Sequence, residues 1–394
     1  MMLSACSNGG PQPGPTWVPQ QDFHAQAEPR PQLPGNGVPA PQPSRPGSGG
    51  PQSSTPGGPP KSGAAPSQGP RADPAVVATK LALPTGLVVL PDGTAVVGER
   101  RTGRLLRVQP VAGKPVTLVQ KLSGLDTTGD GGLLDLALSP TYRQDGLLYA
   151  YVTTPTDNRV LHFTLGATPT PVVTGIPRGS TGNAGRIAFD ATGALLIGTG
   201  TAGDPALAAN PRSLAGKILR TNDIGAPLPD NPTAGSIIFA TGLAGVDGLC
   251  VDPIDGTRIA VSAGSGTSAD EINVIRAGRD YGWPRAGAKS VAPAAKLPKV
   301  AAGGAGCAVA GQRLAVATTA GKALASAQVS ASGTLGSFDT ALAGKYGRLR
   351  TVVAGSDGAL WLTTANRDAR AKPTADDDRV IRLPSSAAGG SSVV

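Results

Sequence analysis

From residue 75 onward, short apolar runs recur in pairs, each pair joined by a turn that usually carries glycine. The first pair is Gly86-Leu-Val-Val-Leu-Pro-Asp-Gly93 with Thr94-Ala-Val-Val-Gly-Glu99, and the third is Arg186-Ile-Ala-Phe-Asp-Ala-Thr-Gly193 with Ala194-Leu-Leu-Ile-Gly198. Equivalent pairs start at Asp135, Gly248, Gly306 and Arg350. Runs this short, rich in Val, Leu and Ile and bounded by turn residues, predict strands. A third run closes most units, at 104–108, 159–163, 216–220, 271–275 and 379–383. The six anchors lie 44 to 62 residues apart. A multi-strand unit repeated at that period predicts a β-propeller, because one small sheet cannot bury both its faces until neighbours stack on it. The fold expected is therefore all-β, a six-bladed β-propeller over residues 75–385, with a β-sandwich as the alternative. No run shows the 3.6-residue period of an amphipathic helix of useful length.

The pattern is different before residue 75. Residues 7–74 hold 18 of the 38 prolines and almost no Val, Ile or Leu. Such a segment buries too little apolar surface to offset its conformational entropy, so a disordered, partly extended tether is expected there. A short disordered tail is expected at 386–394. The first six residues end in Leu3-Ser4-Ala5-Cys6, which is similar to a bacterial lipobox. On that reading residues 1–6 are the remnant of a signal peptide and Cys6 is the lipidated residue. The protein is then extracytoplasmic and anchored to the cell membrane through its N-terminus. The basic and apolar leader that such a site requires is not in the given sequence, so either the true start lies upstream, as the lipid reading expects, or Cys6 is a chance cysteine. No apolar run is long enough for a transmembrane helix.

Charge and cysteine content narrow the function classes. The formal net charge is +9, and only +1 of it falls in the tether. No basic run is interleaved with aromatics, which argues against nucleic acid as a partner. The remaining partners are an envelope ligand or a protein, and nothing in the pattern sets an oligomeric state. Cys250 and Cys307 form no metal-ligand spacing. In an exported chain they can pair as a disulfide, and two buried free thiols are the other reading. Gly198-Thr-Gly-Thr-Ala-Gly203 has the look of a nucleotide loop. It follows a strand, but no helix or βαβ unit is expected after it, so it is set aside.

Several motifs together resemble the glucose/sorbosone dehydrogenases. They include Gly131-Gly-Leu-Leu-Asp-Leu-Ala-Leu-Ser-Pro140, Ser213-Leu-Ala-Gly-Lys-Ile-Leu-Arg220, Asp270-Glu-Ile-Asn-Val-Ile275, Tyr281-Gly-Trp-Pro284 and Thr364-Ala-Asn-Arg-Asp-Ala-Arg370. Ser139-Pro-Thr-Tyr142 and Thr156-Asp-Asn-Arg-Val160, with the tether, resemble a divergent actinobacterial lipoprotein branch of that family. The resemblance implies a six-bladed propeller, pyrroloquinoline quinone (PQQ) and calcium as cofactors, and oxidation of a sugar CH–OH group. It also implies a histidine that takes the sugar hydroxyl proton while hydride passes to the quinone. The matching stretch here is Gly182-Asn183-Ala184-Gly185-Arg186, so the base position is Gly182. The cofactor's Arg and Asn contacts fall on Ala244 and Gly245, a further basic position falls on Ala320, and the calcium-binding stretch reads Ser262-Ala-Gly-Ser-Gly266.

What persists of the implied cofactor site is Asp130, Asn183, Arg186, Arg367 and Arg370, with Asp368 between the last two. Each has a bland reading as well. Asp130 can cap a turn, Asn183 can hold a left-handed turn, and Arg186 can pair within its blade. Arg367 and Arg370 can serve ring closure with the acidic run 376–378. The chain's two histidines are His24 in the tether and His162 in a third strand. No catalytic residue and no metal ligand is assigned. The expected function is a cell-envelope lipoprotein whose propeller has lost catalysis and binds a ligand or protein partner at its funnel. The alternative is a PQQ-dependent aldose/sorbosone dehydrogenase with a divergent site, and a wall protein whose tether matters more than its face ranks third.

Overall fold

The computed structural model describes residues 73–264 and 269–385. The expectations for residues 1–72 and 386–394, Cys6 among them, lie outside the described residues. Among the described residues, twenty-four strands form six four-stranded antiparallel sheets. The innermost strands, in order, are Pro84–Val89, Leu133–Leu138, Arg186–Phe189, Val246–Val251, Gly304–Ala310 and Leu349–Ala354. Each packs on the next, and the sixth packs back on the first. The protein is a six-bladed β-propeller, as the repeat predicts.

Burial explains why the strands read as near-continuous apolar runs rather than as alternating ones. The buried side chains fall into six clusters, one at each seam between neighbouring blades. An inner strand therefore has protein on both faces, as in Ala95–Glu99, where all five residues are buried. Some of the outermost strands are short and exposed. Thr117–Lys121 and Asp339–Ala341 have no buried residue, which is why the apolar pattern does not reveal them.

The ring closes with both ends of the described chain in one sheet. The sixth blade runs Leu349–Ala354, Leu360–Thr364, Val380–Leu383 and then Val76–Ala78. Val76 pairs with Ile381 and Ala78 with Val380. Val77, Ala78 and Leu81 are buried in the seam shared with blade 1. Asp73 holds the start of this strand by accepting bonds from Tyr346 Oη (2.8 Å) and Lys345 Nζ (3.2 Å). A second fastener joins blades 4 and 5: Cys250 and Cys307, on adjacent inner strands, are disulfide-bonded with their Cα atoms 5.7 Å apart. No helix among the described residues is long and apolar enough to cross a membrane.

Blades 3 and 4 are braced by a buried carboxylate. Asp190 accepts from Arg258 Nη2 (2.7 Å), Arg220 Nε (3.3 Å), Thr192 Oγ1 and the Ala194 N–H. Burial works against its charge, but these donors outweigh burial and bring its pKa down to about 2. A carboxyl whose folded-state pKa lies below its unfolded value adds stability above the unfolded pKa and loses it as pH falls. The Asp190→Asn variant is therefore expected to lose stability at neutral pH and to show a flatter acid limb between about pH 4 and pH 2, read by denaturant titrations at each pH. A wild-type-like slope in the variant would remove this role.

Candidate functional site

Five of the six inner strands meet at one side chain. Arg186, at the start of blade 3's inner strand, is 2% exposed. Its Nε donates to Asp247 O of blade 4 (2.7 Å), and its Nη1 reaches Asp135 Oδ1 of blade 2 (3.2 Å). The same Nη1 lies 3.5 Å from Thr85 O of blade 1 and 3.4 Å from Thr351 Oγ1 of blade 6. Thr351 in turn donates to Thr85 O (2.6 Å), Thr85 donates to Leu133 O (2.6 Å), and Asp135 accepts the Ile187 N–H (3.0 Å). The reading of Arg186 as a pair within its own blade is thus corrected: its bonds run to four other blades. Burial pushes the Asp135 carboxyl up and lowers the guanidinium, and Arg350 adds like-charge repulsion to the latter.

Above this floor lies a cavity of about 590 Å³. Its wall includes Asp130, Gly182, Asp247, Asp270, Asp368, Arg100, Arg101, Arg348, Arg350 and Arg370. All four carboxylates have internal partners. Asp130 accepts the Gly182 N–H (2.7 Å) and also bonds Asn183 Nδ2. Asp270 Oδ2 accepts the Gly303 and Gly304 N–H groups (2.7 and 2.9 Å). Asp368 pairs with Arg348 (2.7 Å) and Asp247 with Arg350 (3.4 Å). Among the described residues, Arg100, Arg101 and Arg370 form no salt bridge. Arg100 is held by the carbonyls of Gly129 (2.7 Å) and Gly131 (3.0 Å). Burial and the neighbouring Arg350, Arg101 and Arg370 lower its pKa to about 10, against the pull of Asp130.

Gly182 lies in this wall with φ +72°, a left-handed conformation that favours glycine. A Cβ there would sit 2.7 Å from Gly203 N and 2.9 Å from Thr201 Oγ1. The turn over residues 201–203 is docked on Gly182, with the Ala202 N–H donating to Gly182 O (2.9 Å). Behind it stands a one-turn helix, Pro205–Ala209, capped by Asp204 at its start. The expectation that no helix follows the Gly198–Gly203 loop is corrected by this turn, although the strands around it are antiparallel and form no βαβ unit. Lys217, 1% exposed, fixes the helix's far end by donating Nζ to Ala208 O (2.5 Å) and Ala215 O (2.8 Å). Burial brings its pKa down to about 8. A side chain at the position where the resemblance places a base would therefore meet a braced turn.

The other candidate residues separate. Asn183 is fully buried, and its side chain bonds Asn158, Gly179 and Asp130. The left-handed residues beside it are Gly182 and Ala184, so its own left-handed reading is corrected to that of a loop tie. Arg367 turns away to the closure loop, with Nε on Asp377 O (2.6 Å), whereas Arg370 lines the cavity. His162 is on blade 2's third strand with its ring 5.7 Å from that of Tyr149, and it does not line the cavity. Ser262 Oγ accepts from Asn273 Nδ2, and residues 265–266 of the expected calcium stretch lie outside the described residues. Among the described residues no cluster of three His, Cys, Asp or Glu side chains could hold a metal ion. The sequence reading missed Arg100, Arg101 and Arg350.

With this geometry in place, comparison with known proteins decides the lineage. The profile of the glucose/sorbosone dehydrogenase family matches residues 81–372. The chain belongs to this family. The PQQ-bound aldose sugar dehydrogenase structure from Streptomyces coelicolor is 36% identical, with a TM-score of 0.73, and covers 78% of this chain and 96% of that one. A Thermus thermophilus structure titled a putative oxidoreductase (glucose dehydrogenase) is 34% identical, with a TM-score of 0.71, over 78% of this chain and 98% of that one. The aldose sugar dehydrogenase YliI of Escherichia coli is 29% identical over 232 residues, which are 54% of this chain and 61% of that protein. The chain thus spans less than two thirds of the length of the curated relatives it matches.

The axial network makes a direct prediction. Removing Arg186 strands Asp135 in the core, so Arg186→Met is expected to cost roughly 3–5 kcal/mol in denaturant titrations. The double variant Arg186→Met/Asp135→Leu should recover part of that loss, since it leaves no unpaired buried charge. Strictly additive losses would show that the two residues do not act as a unit.

Proposed function

We propose that this chain is a member of its family that binds a ligand at its funnel without oxidising it. The observation that carries this reading is Gly182, covered by the turn at 201–203 at the position where a proton acceptor is required. Loss of hydride from an alcohol carbon also needs removal of the hydroxyl proton. Among the described residues no histidine lines the cavity, and each of its four carboxylates holds at least one internal donor. The quinone's carboxylates require cationic partners, and the arginines here would supply charge. The implied contacts on blades 4 and 5, however, are Ala244, Gly245 and Ala320. The residues present do not fit the family's redox chemistry, and no hydride step is assigned to them.

The setting we propose is extracytoplasmic, with the propeller tethered to the membrane through a lipid on Cys6. The Cys250–Cys307 bond supports export, because disulfides persist in oxidising compartments. The alternative, a PQQ-dependent aldose dehydrogenase, draws on the 36% identity to the Streptomyces enzyme and on the arginines of the cavity. Dye reduction with aldoses, measured on protein loaded with PQQ and calcium, separates the two. No turnover above a protein-free control is expected. Gly182→His is expected to restore none and to lower stability, because its Cβ meets the backbone of Gly203. Turnover by the wild-type protein would overturn the non-oxidising reading.

A further inference from the structure

The funnel's charge is unevenly placed around its axis. Arg100 and Arg101 follow the second strand of blade 1, Arg350 is on the inner strand of blade 6, and Arg370 is on the loop after that blade's second strand. These four guanidiniums form one wall at the seam of blades 1 and 6. Blades 4 and 5, where the family resemblance implies cations, carry Ala244, Gly245 and Ala320 instead. The arc from blade 2 to blade 4 presents acceptors: Asp130, Thr181 and Asp270. Asp270 uses only Oδ2 for its backbone donors, and Oδ1 has no donor among the described residues.

Among the described residues Arg100, Arg101 and Arg370 form no salt bridge and Arg350 pairs with Asp247 only at 3.4 Å, so these neighbouring guanidiniums repel one another, and an oxyanion between them relieves that repulsion through charge-assisted bonds. Carboxylates on the facing arc do the reverse. They repel a second anionic group but accept hydrogen bonds from hydroxyls. The Arg186 network beneath closes the floor, so a ligand enters and leaves from the open mouth. Resting on the reading that this funnel binds without oxidising, we infer that its ligand is a small acidic saccharide, with one compact oxyanion at Arg100, Arg101, Arg350 and Arg370 and hydroxyls toward Asp130 and Asp270. A sugar phosphate and a sugar acid share this chemistry. A ligand with anionic groups on several sides meets the carboxylate arc and is disfavoured.

Calorimetric titration of the full chain at low salt tests this with four probes: glucose 6-phosphate, gluconate, glucose and inorganic phosphate. At least one acidic sugar is expected to bind ten times or more tighter than both glucose and inorganic phosphate, and the tighter of the two identifies the oxyanion. Arg101 and Arg370 are exposed, so Arg101→Gln and Arg370→Gln leave the core intact. Each is expected to weaken binding about tenfold, the size of one charge-assisted bond, while Lys114→Gln on the outer surface changes nothing. Equal binding of glucose or of inorganic phosphate, or unchanged affinity in both arginine variants, would overturn the inference. Failure of every probe in a protein that also reduces no dye removes this ligand class alone. Dye reduction with PQQ and aldoses would remove the reading beneath it.

Discussion

One buried guanidinium sets the architecture of the axis. A six-bladed ring brings six inner strands together, and their side chains must fill the centre without leaving polar groups unpaired. Arg186 does most of this, its Nε and Nη1 reaching blades 1, 2, 4 and 6 from blade 3 while its buried Nη2 finds no partner among the described residues. Its charge is offset by Asp135, and the hydroxyls of Thr85 and Thr351 carry the network between blades 1, 2 and 6. The consequence for function is geometric. The centre is plugged, so the funnel above it is a cup with one mouth.

The cup's chemistry follows from what the loops place around that floor. The loops after the second strands and the links between blades point the same way and build its wall. Blade 3 contributes a turn held by the Pro205–Ala209 helix and by Lys217, and that turn covers Gly182. Blades 1 and 6 contribute arginines, while blades 2 and 4 contribute carboxylates that already serve backbone donors. A wall of this kind orients and neutralises a bound group. Among the described residues it presents no histidine, and each of its carboxylates already serves at least one internal donor, which is the basis of the binding role proposed above.

Much of this was legible in the chain, for stateable reasons. The three inner strands of most blades are buried on both faces, so their apolar runs stand out, as at 84–108 and 186–220. The outer strands Thr117–Lys121 and Asp339–Ala341 have no buried residue and left no pattern, and Val76–Ala78, although inside the expected propeller bounds, was not read as a strand because its partner lies about 300 residues away. The site was less legible. Gly182 was found because a motif has a gap there, but the turn that packs on it comes from another loop. Asn183 and Arg186 were picked out only because they persist in the motif of the resemblance, and their partners sit on other blades. Arg100 and Arg101 went unnoticed although they follow Glu99 at the end of a second strand, the same place in the repeat as the loop carrying Arg370. Aligning the blades by that position would have found them.

The central claim is that a side chain at the proton acceptor's position would meet the braced 201–203 turn. A high-resolution crystal structure of the protein soaked with PQQ, calcium and glucose tests it most directly. The account predicts that Gly203 N and Thr201 Oγ1 stay packed over Gly182, with no histidine or free carboxylate within hydrogen-bonding distance of a sugar hydroxyl beside the quinone. A displaced 201–203 turn, with His162 or a released Asp130 reaching that hydroxyl, would contradict it.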